Sequence, residues 1–191
     1  MSKLEILTNE PSWNIAPKAA FCVKTSQIAA DDRQLLNGAK DKVFINICLS
    51  EDLPAPEKLI NEQELASILE SNDPGSYRIP ISLSDPHEET DRKGQPCTAY
   101  DVILNSLFYK KRVENSDLFQ TFIVVVAMDA ICDKYRCQLD RHNWVKLKNK
   151  KQMGEVLQQR VRKKAKPLIE EIGDFPSTSG DRNSTKNILG E

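Results

Sequence analysis

Histidine is scarce: only His87 and His142 occur in 191 residues, which leaves an imidazole-based zinc site short of ligands. Cysteine is sparse and odd in number. Cys22, Cys48, Cys97, Cys132 and Cys137 include no CxxC pair, so neither a disulfide framework nor a metal ribbon is expected, and reduced cytosolic or nuclear thiols fit better. The nucleotide and protease signatures GxxxxGKS/T, GxGxxG and HExxH are missing. No apolar run approaches the ~20 residues that cross a bilayer. The opening MSKLEILTNEPSW carries acids and lacks the apolar stretch of a signal peptide. Aromatics make up 6% of the chain and few accompany its basic stretches, so single-stranded RNA has no stacking platform there. These absences point away from a membrane protein, a metalloprotein or a cofactor enzyme.

What is present is charge, unevenly placed. The net charge is -1. Arg141 to Lys166, however, holds ten basic residues against Glu155 alone, and the rest of the chain carries the compensating acids. Such polarity suits an anionic partner for the basic part, or mutual neutralisation of the two parts in the fold.

Hydrophobic patterning predicts one α+β domain, a mixed β-sheet packed by helices, over residues 20–173. A flexible lead-in is expected over 1–19 and a disordered tail over 174–191. Ala20 to Thr25 alternates as a short strand, followed by a long polar loop from Ser26 to Asp41. Lys42 to Leu49 (KVFINICL) is apolar on both faces and reads as the central strand. Asn61 and Glu64 form a capping pair ahead of Leu65, Ile68 and Leu69, predicting a short helix. Tyr77 to Leu83 alternates, but Pro80 confines it to an edge, and Ser84 to Pro96 reads as a charged loop. Cys97 to Leu104 is strand-like, and Asn105 to Val113 suits a helical turn. Ser116 caps a long helix to Tyr135 whose inner face is expected through Leu118, Phe122, Val125, Val126, Met128 or Asp129, Cys132 and Tyr135. Trp144 to Lys150 alternates, placing Lys146, Lys148 and Lys150 on one strand face. Gln152 to Lys166 is compatible with a helix ended by Pro167.

Three ammonium groups on one strand face repel unless solvated or paired with anions. They therefore mark either a solvated edge or a site for phosphate, an acidic peptide or nucleic acid. Lys24 and Lys42 would flank the same surface if their strands pair. Cys97 could serve as a nucleophile with His87 or His142 as base, but a buried thiol is the better reading because nothing marks an oriented base. The cluster Lys163-Lys164-Ala165-Lys166 suits a solvated helix end more than a nucleic-acid contact.

Several strings, in order, resemble the PIH-domain family of heat-shock protein 90 co-chaperones. They are Phe21 to Thr25 (FCVKT), Lys42 to Cys48 (KVFINIC), Tyr77 to Leu83 (YRIPISL), Asp85-Pro86-His87 and Lys93 to Val102 (KGQPCTAYDV), with Asn105-Ser106 and Asp133-Lys134-Tyr135 after them. The resemblance covers about Pro17 to Gly173. It implies a cytoplasmic and nuclear adaptor, not an enzyme. Its partners would be heat-shock protein 90, a TPR co-chaperone and RuvB-like ATPases, in assembly of box C/D small nucleolar ribonucleoproteins, RNA polymerases and PI3-kinase-like kinases. The implied ligand is an acidic phosphoserine peptide of the form Asp-pSer-Asp-Asp, of the casein kinase 2 type. The implied phosphopeptide-binding residues are Lys24 and Lys42, then Lys93, Lys148 and Lys150. No cofactor or metal is implied, and direct nucleic-acid binding is unexpected. The loop from Ser26 to Asp41 is longer than the family pattern, and Val145 and Lys150 stand where relatives carry arginine. Relatives also continue into a C-terminal β-sandwich of the CS type, for which this chain leaves no room. The competing reading is an RNA-binding or ribonucleoprotein scaffold using Arg141 to Lys166.

Overall fold

The structure is a computed structural model and describes residues 12–28, 41–156 and 158–162. The expected tail, the tip of the 26–41 loop and the Lys163–Lys166 cluster lie outside the described residues.

A six-stranded mixed sheet organises the chain. Its strands are β2 (Lys18–Ser26), β3 (Lys42–Ser50), β4 (Ser82–Leu83), β5 (His87–Thr90), β6 (Pro96–Asn105) and β7 (Val145–Lys146). The order is β4-β6-β3-β2-β7, with β5 also pairing β6. β3 runs antiparallel to β2 and parallel to β6, which makes it central, as its two apolar faces require. Val43, Phe44, Ile45, Ile47 and Cys48 are all buried. Each of the valine, isoleucine and phenylalanine side chains removed from water stabilises the fold by about 1.5–3 kcal/mol.

The helices cover one face only. α1 (Glu62–Leu69) is closed by the Asn61/Glu64 capping box. α2 (Ser106–Phe108) continues into a π-helical turn, Tyr109–Val113. α3 (Asp117–Tyr135) starts where Ser116 Oγ accepts the Phe119 N–H. Val23, Val43, Ile45, Ile47, Tyr100, Val102 and Leu104 meet these helices in the main core. The stripe α3 buries is Phe119, Ile123, Val124, Ala127, Met128 and Ile131. Of the expected face, Met128 belongs to that stripe, while Leu118, Phe122, Cys132 and Tyr135 form its half-buried flank. The run Ile123-Val124-Val125-Val126-Ala127 is apolar all round, so spacing alone leaves the phase of the helix open.

Several other expectations change. Within the stretch read as a lead-in, Ser12–Ile15 forms strand β1, and Lys18 and Ala19 open β2. Where a helix was compatible over Gln152 to Lys166, Gln159–Arg162 forms strand β8, paired antiparallel with β1 as a two-stranded ribbon. Ile15 is fully buried against Cys48, Leu53 and Ile103. The charged loop of Ser84 to Pro96 contains β5, which aligns on β6 from His87↔Ala99 to Thr90↔Pro96. Of Tyr77 to Leu83 only Ser82 and Leu83 enter the ladder, because Pro80 has no N–H to give. Among the described residues no helix is long and apolar enough to cross a membrane.

Candidate functional site

The face of the sheet turned away from the helices is polar at one end. In the β2–β3 register Lys24 lies opposite Phe44, and Lys42 lies two residues before Phe44. Side chains alternate along a strand, so Lys24, Lys42 and Phe44 share this face with Cys22 and Asn46. Two further segments close over it. The first is the turn after β5. Asp91 Oδ1 accepts the N–H groups of Lys93 and Gln95 at 2.8 and 2.9 Å, and Gly94 takes φ 73°, which favours glycine. This turn carries Arg92 and Lys93. The second is the strap after β7, residues 147–156. It is pinned at its start by Leu147 N–H donating to Cys22 O at 2.8 Å, and it carries Lys148 and Lys150.

Together these segments enclose a cavity of about 380 Å³. Lys24, Lys42, Lys93, Lys148 and Lys150 all line it, joined by Arg92, over a floor of Phe44, Leu147 and Met153. Asp91 is the one acid on its wall among the described residues. It pairs with Lys42 Nζ. The hydrogen bond from Lys42, followed by those from Gln95 and Lys93, holds the Asp91 carboxyl down at about 2. Lys150 Nζ rests 2.9 Å from the Met153 sulfur.

The strap is held from below by a buried amide. Asn46 Nδ2 donates to Asp101 Oδ1 at 2.7 Å and to Met153 O at 2.9 Å, and Met153 N–H donates to Asn46 Oδ1 at 2.8 Å. Asn46 and Asp101 are both buried. His87 extends the network, with Nδ1 2.8 Å from Glu89 Oε1 and Nε2 3.5 Å from Asp101 Oδ1. Gly154, at φ 73°, passes so close to Glu89 that a Cβ would lie 1.9 Å from Oε1.

Lys146 does not join its expected companions. Ladder pairing stops at Lys146, and the chain then bends across the sheet. Lys146 stays on the helical side, 4.9 Å from the Phe21 ring centroid and hydrogen-bonded to Gln120 Oε1 at 2.7 Å. The basic stretch is divided as well, since Arg141 pairs with Asp129 on α3. Cys97 is buried, and burial followed by the Asp91 and Glu89 carboxylates pushes its thiol up, opposite to an activated nucleophile. Asp91, Arg92, Phe44, Met153 and the Asn46 amide were not singled out from sequence. The Asp-x-x-Gly spacing of Asp91 and Gly94 is the signal that could have marked the turn.

A family model described as "PIH1 N-terminal domain" matches residues 2–169. "PIH1 domain-containing protein 1" of Xenopus laevis is 43% identical over 186 residues, which is 97% of this chain and 57% of that protein. The Homo sapiens protein of the same name is 42% identical over 88% of this chain and 53% of its own length. The chain thus spans a little over half the length of these curated relatives. "Protein interacting with Hsp90 1" of Saccharomyces cerevisiae is 35% identical over 48% of this chain and 26% of that protein. Among solved structures, the "N-terminal domain of yeast PIH1p" superposes with TM-score 0.62 at 26% identity, covering 79% of this chain and 93% of that one.

Proposed function

This chain belongs to the PIH1 N-terminal domain family, and from that premise we propose that it is a phosphopeptide-binding adaptor in a heat-shock protein 90 co-chaperone system. The observation that carries the reading is the cavity in which Lys24, Lys42, Lys93, Lys148 and Lys150 face one another with Arg92. Six cations around a single carboxylate repel one another and are stabilised by an added anion. A phosphoserine supplies a near-dianion with three acceptor oxygens, and flanking aspartates supply further charge for the outer lysines. Charge-assisted hydrogen bonds from ammonium groups are the strong ones, and lysine grips phosphate as a point charge. The apolar floor of Phe44, Leu147 and Met153 lowers the local dielectric and strengthens each contact.

The ligand proposed is an acidic phosphoserine segment of the Asp-pSer-Asp-Asp kind. Such a ligand would bring client adaptors to heat-shock protein 90, a TPR co-chaperone and RuvB-like ATPases in the cytoplasm and nucleus. Assembly of small nucleolar ribonucleoproteins, RNA polymerase and PI3-kinase-like kinases would follow. The heat-shock protein setting is supported by the yeast relative, whose name is "Protein interacting with Hsp90 1".

The test is a titration with an Asp-pSer-Asp-Asp peptide, its unphosphorylated twin and a single-stranded RNA. Binding should require the phosphate. Lys42→Ala should weaken it at least tenfold, about 1.5–3 kcal/mol for a hydrogen bond to a charged group. Equal affinity for the two peptides, or RNA binding indifferent to Lys24 and Lys42, would instead support a ribonucleoprotein scaffold.

A further inference from the structure

Away from the lysine cavity, α3 ends in an unusual pair of neighbours. Arg136 closes the helix with φ 54° and ψ 38°, the left-handed region. At helix ends closed this way, the side chain after the left-handed residue commonly folds back onto the one five positions earlier. Those two positions are Cys137 and Cys132. Both thiols line one surface pocket of about 290 Å³ beside Ile28 and Leu139, and they sit near enough for Cys132 to act on the Cys137 thiol. Both are partly exposed, whereas Cys22, Cys48 and Cys97 are buried in the sheet. Contact between side chains at a helix end is normally apolar, so a dithiol there adds a chemistry that packing does not need.

We propose that Cys132 and Cys137 are a modification site, a dithiol that small disulfides of the glutathione class convert into an intrachain disulfide. In the first step the Cys132 thiolate attacks one sulfur of the small disulfide. The Cys132–S bond forms, the S–S bond of the reagent breaks, and its other half leaves as a thiolate that takes up a proton. In the second step the Cys137 thiolate attacks the Cys132 sulfur, closes the intrachain bond and expels the second small thiol. Two electrons pass from the protein pair to the reagent, so one disulfide is formed and one consumed. Burial and the neighbouring Cys132 thiol push Cys137 up, so closure accelerates with rising pH.

The disulfide would tie the end of α3 to the segment that continues into Leu139 and Asp140. That segment already clips the end of β2, through Asp140 N–H to Ser26 O and Ile28 N–H to Gln138 O, at 2.9 and 2.8 Å. The whole chain is treated with oxidised glutathione at pH 8, quenched in acid, unfolded, alkylated and digested with trypsin. Alkylated cysteines should fall from five to three. Trypsin cuts after Lys134 and Arg136, so the peptides holding Cys132 and Cys137 should travel as one linked pair that dithiothreitol separates. Cys132→Ser should retain four alkylatable cysteines or stop at a single glutathione adduct on Cys137. Five free thiols, stable adducts on both cysteines without a link, or a link through Cys22, Cys48 or Cys97 would each overturn the proposal.

Discussion

Asn46→Ala should destabilise the protein and loosen the lysine cavity without removing any lysine. The side chain is buried, and its amide is the sole amide bridge between the sheet and the Met153 backbone among the described residues. Truncation strips partners from the N–H and the C=O of Met153, at about 1 kcal/mol each. It also strips a partner from the Asp101 carboxyl, whose Oδ2 is already without one, at about 1.5–3 kcal/mol. The total is about 4 kcal/mol, a large part of the 5–15 kcal/mol typical of a domain. Urea denaturation should show a lower midpoint with an unchanged slope. Hydrogen exchange should show loss of protection at the Met153 amide, and Asp-pSer-Asp-Asp affinity should fall because Lys148 and Lys150 ride on the released strap. A loss below about 1 kcal/mol with Met153 still protected would refute the argument, since buried groups left unpaired must cost more than that.

Gly154→Ala should cost about 2 kcal/mol in urea melts, from the left-handed backbone and the clash with Glu89. Adding Glu89→Ala should recover only the clash. Asp91 should shape the acid limb of stability. Its pKa falls on folding from about 3.8 to about 2, so the Lys42 pair contributes fully above pH about 4 and is lost as pH drops through about 2. Asp91→Asn should flatten that limb in thermal melts across the same window. Lys146→Ala should leave phosphopeptide affinity unchanged in titrations, because Lys146 faces Phe21 and Gln120 on the opposite side of the sheet.

Much of this molecule was legible where local chemistry decides the structure. Lys42 to Leu49 had to be central because both its faces are apolar. Asn61 with Glu64, and Ser116 alone, gave away two helix starts through side chains that bond their own backbone. Lys24 and Lys42 are brought to one face by strand alternation once β2 and β3 pair. What stayed hidden depends on distant partners. Ser12–Ile15 pairs with Gln159–Arg162, but the first alternates over only four residues between Pro11 and Pro17 and the second holds a single apolar residue, Val161. Lys146, Lys148 and Lys150 read as one stripe because alternation extrapolates a strand. The strand ends at Lys146 when Asn46, a core amide distant in sequence, captures Met153. The cavity's acid, Asp91, was invisible as a site residue because its role appears only when Lys42 is beside it.

The β1–β8 ribbon has a mechanical consequence. Ser12 and Arg162 are cross-strand partners, so the two flanks of the described domain leave it side by side. Tension applied through those flanks meets the ribbon at its open end and loads its hydrogen bonds one after another, like a zipper rather than in shear. The ribbon would yield at low force, as a fuse, while β2, β3 and the lysine cavity behind it carry none of the load. Weak pulling would therefore open the ribbon before it reached the ligand-reading surface, and single-molecule pulling from the two flanks would see a short, soft extension before the sheet gives way.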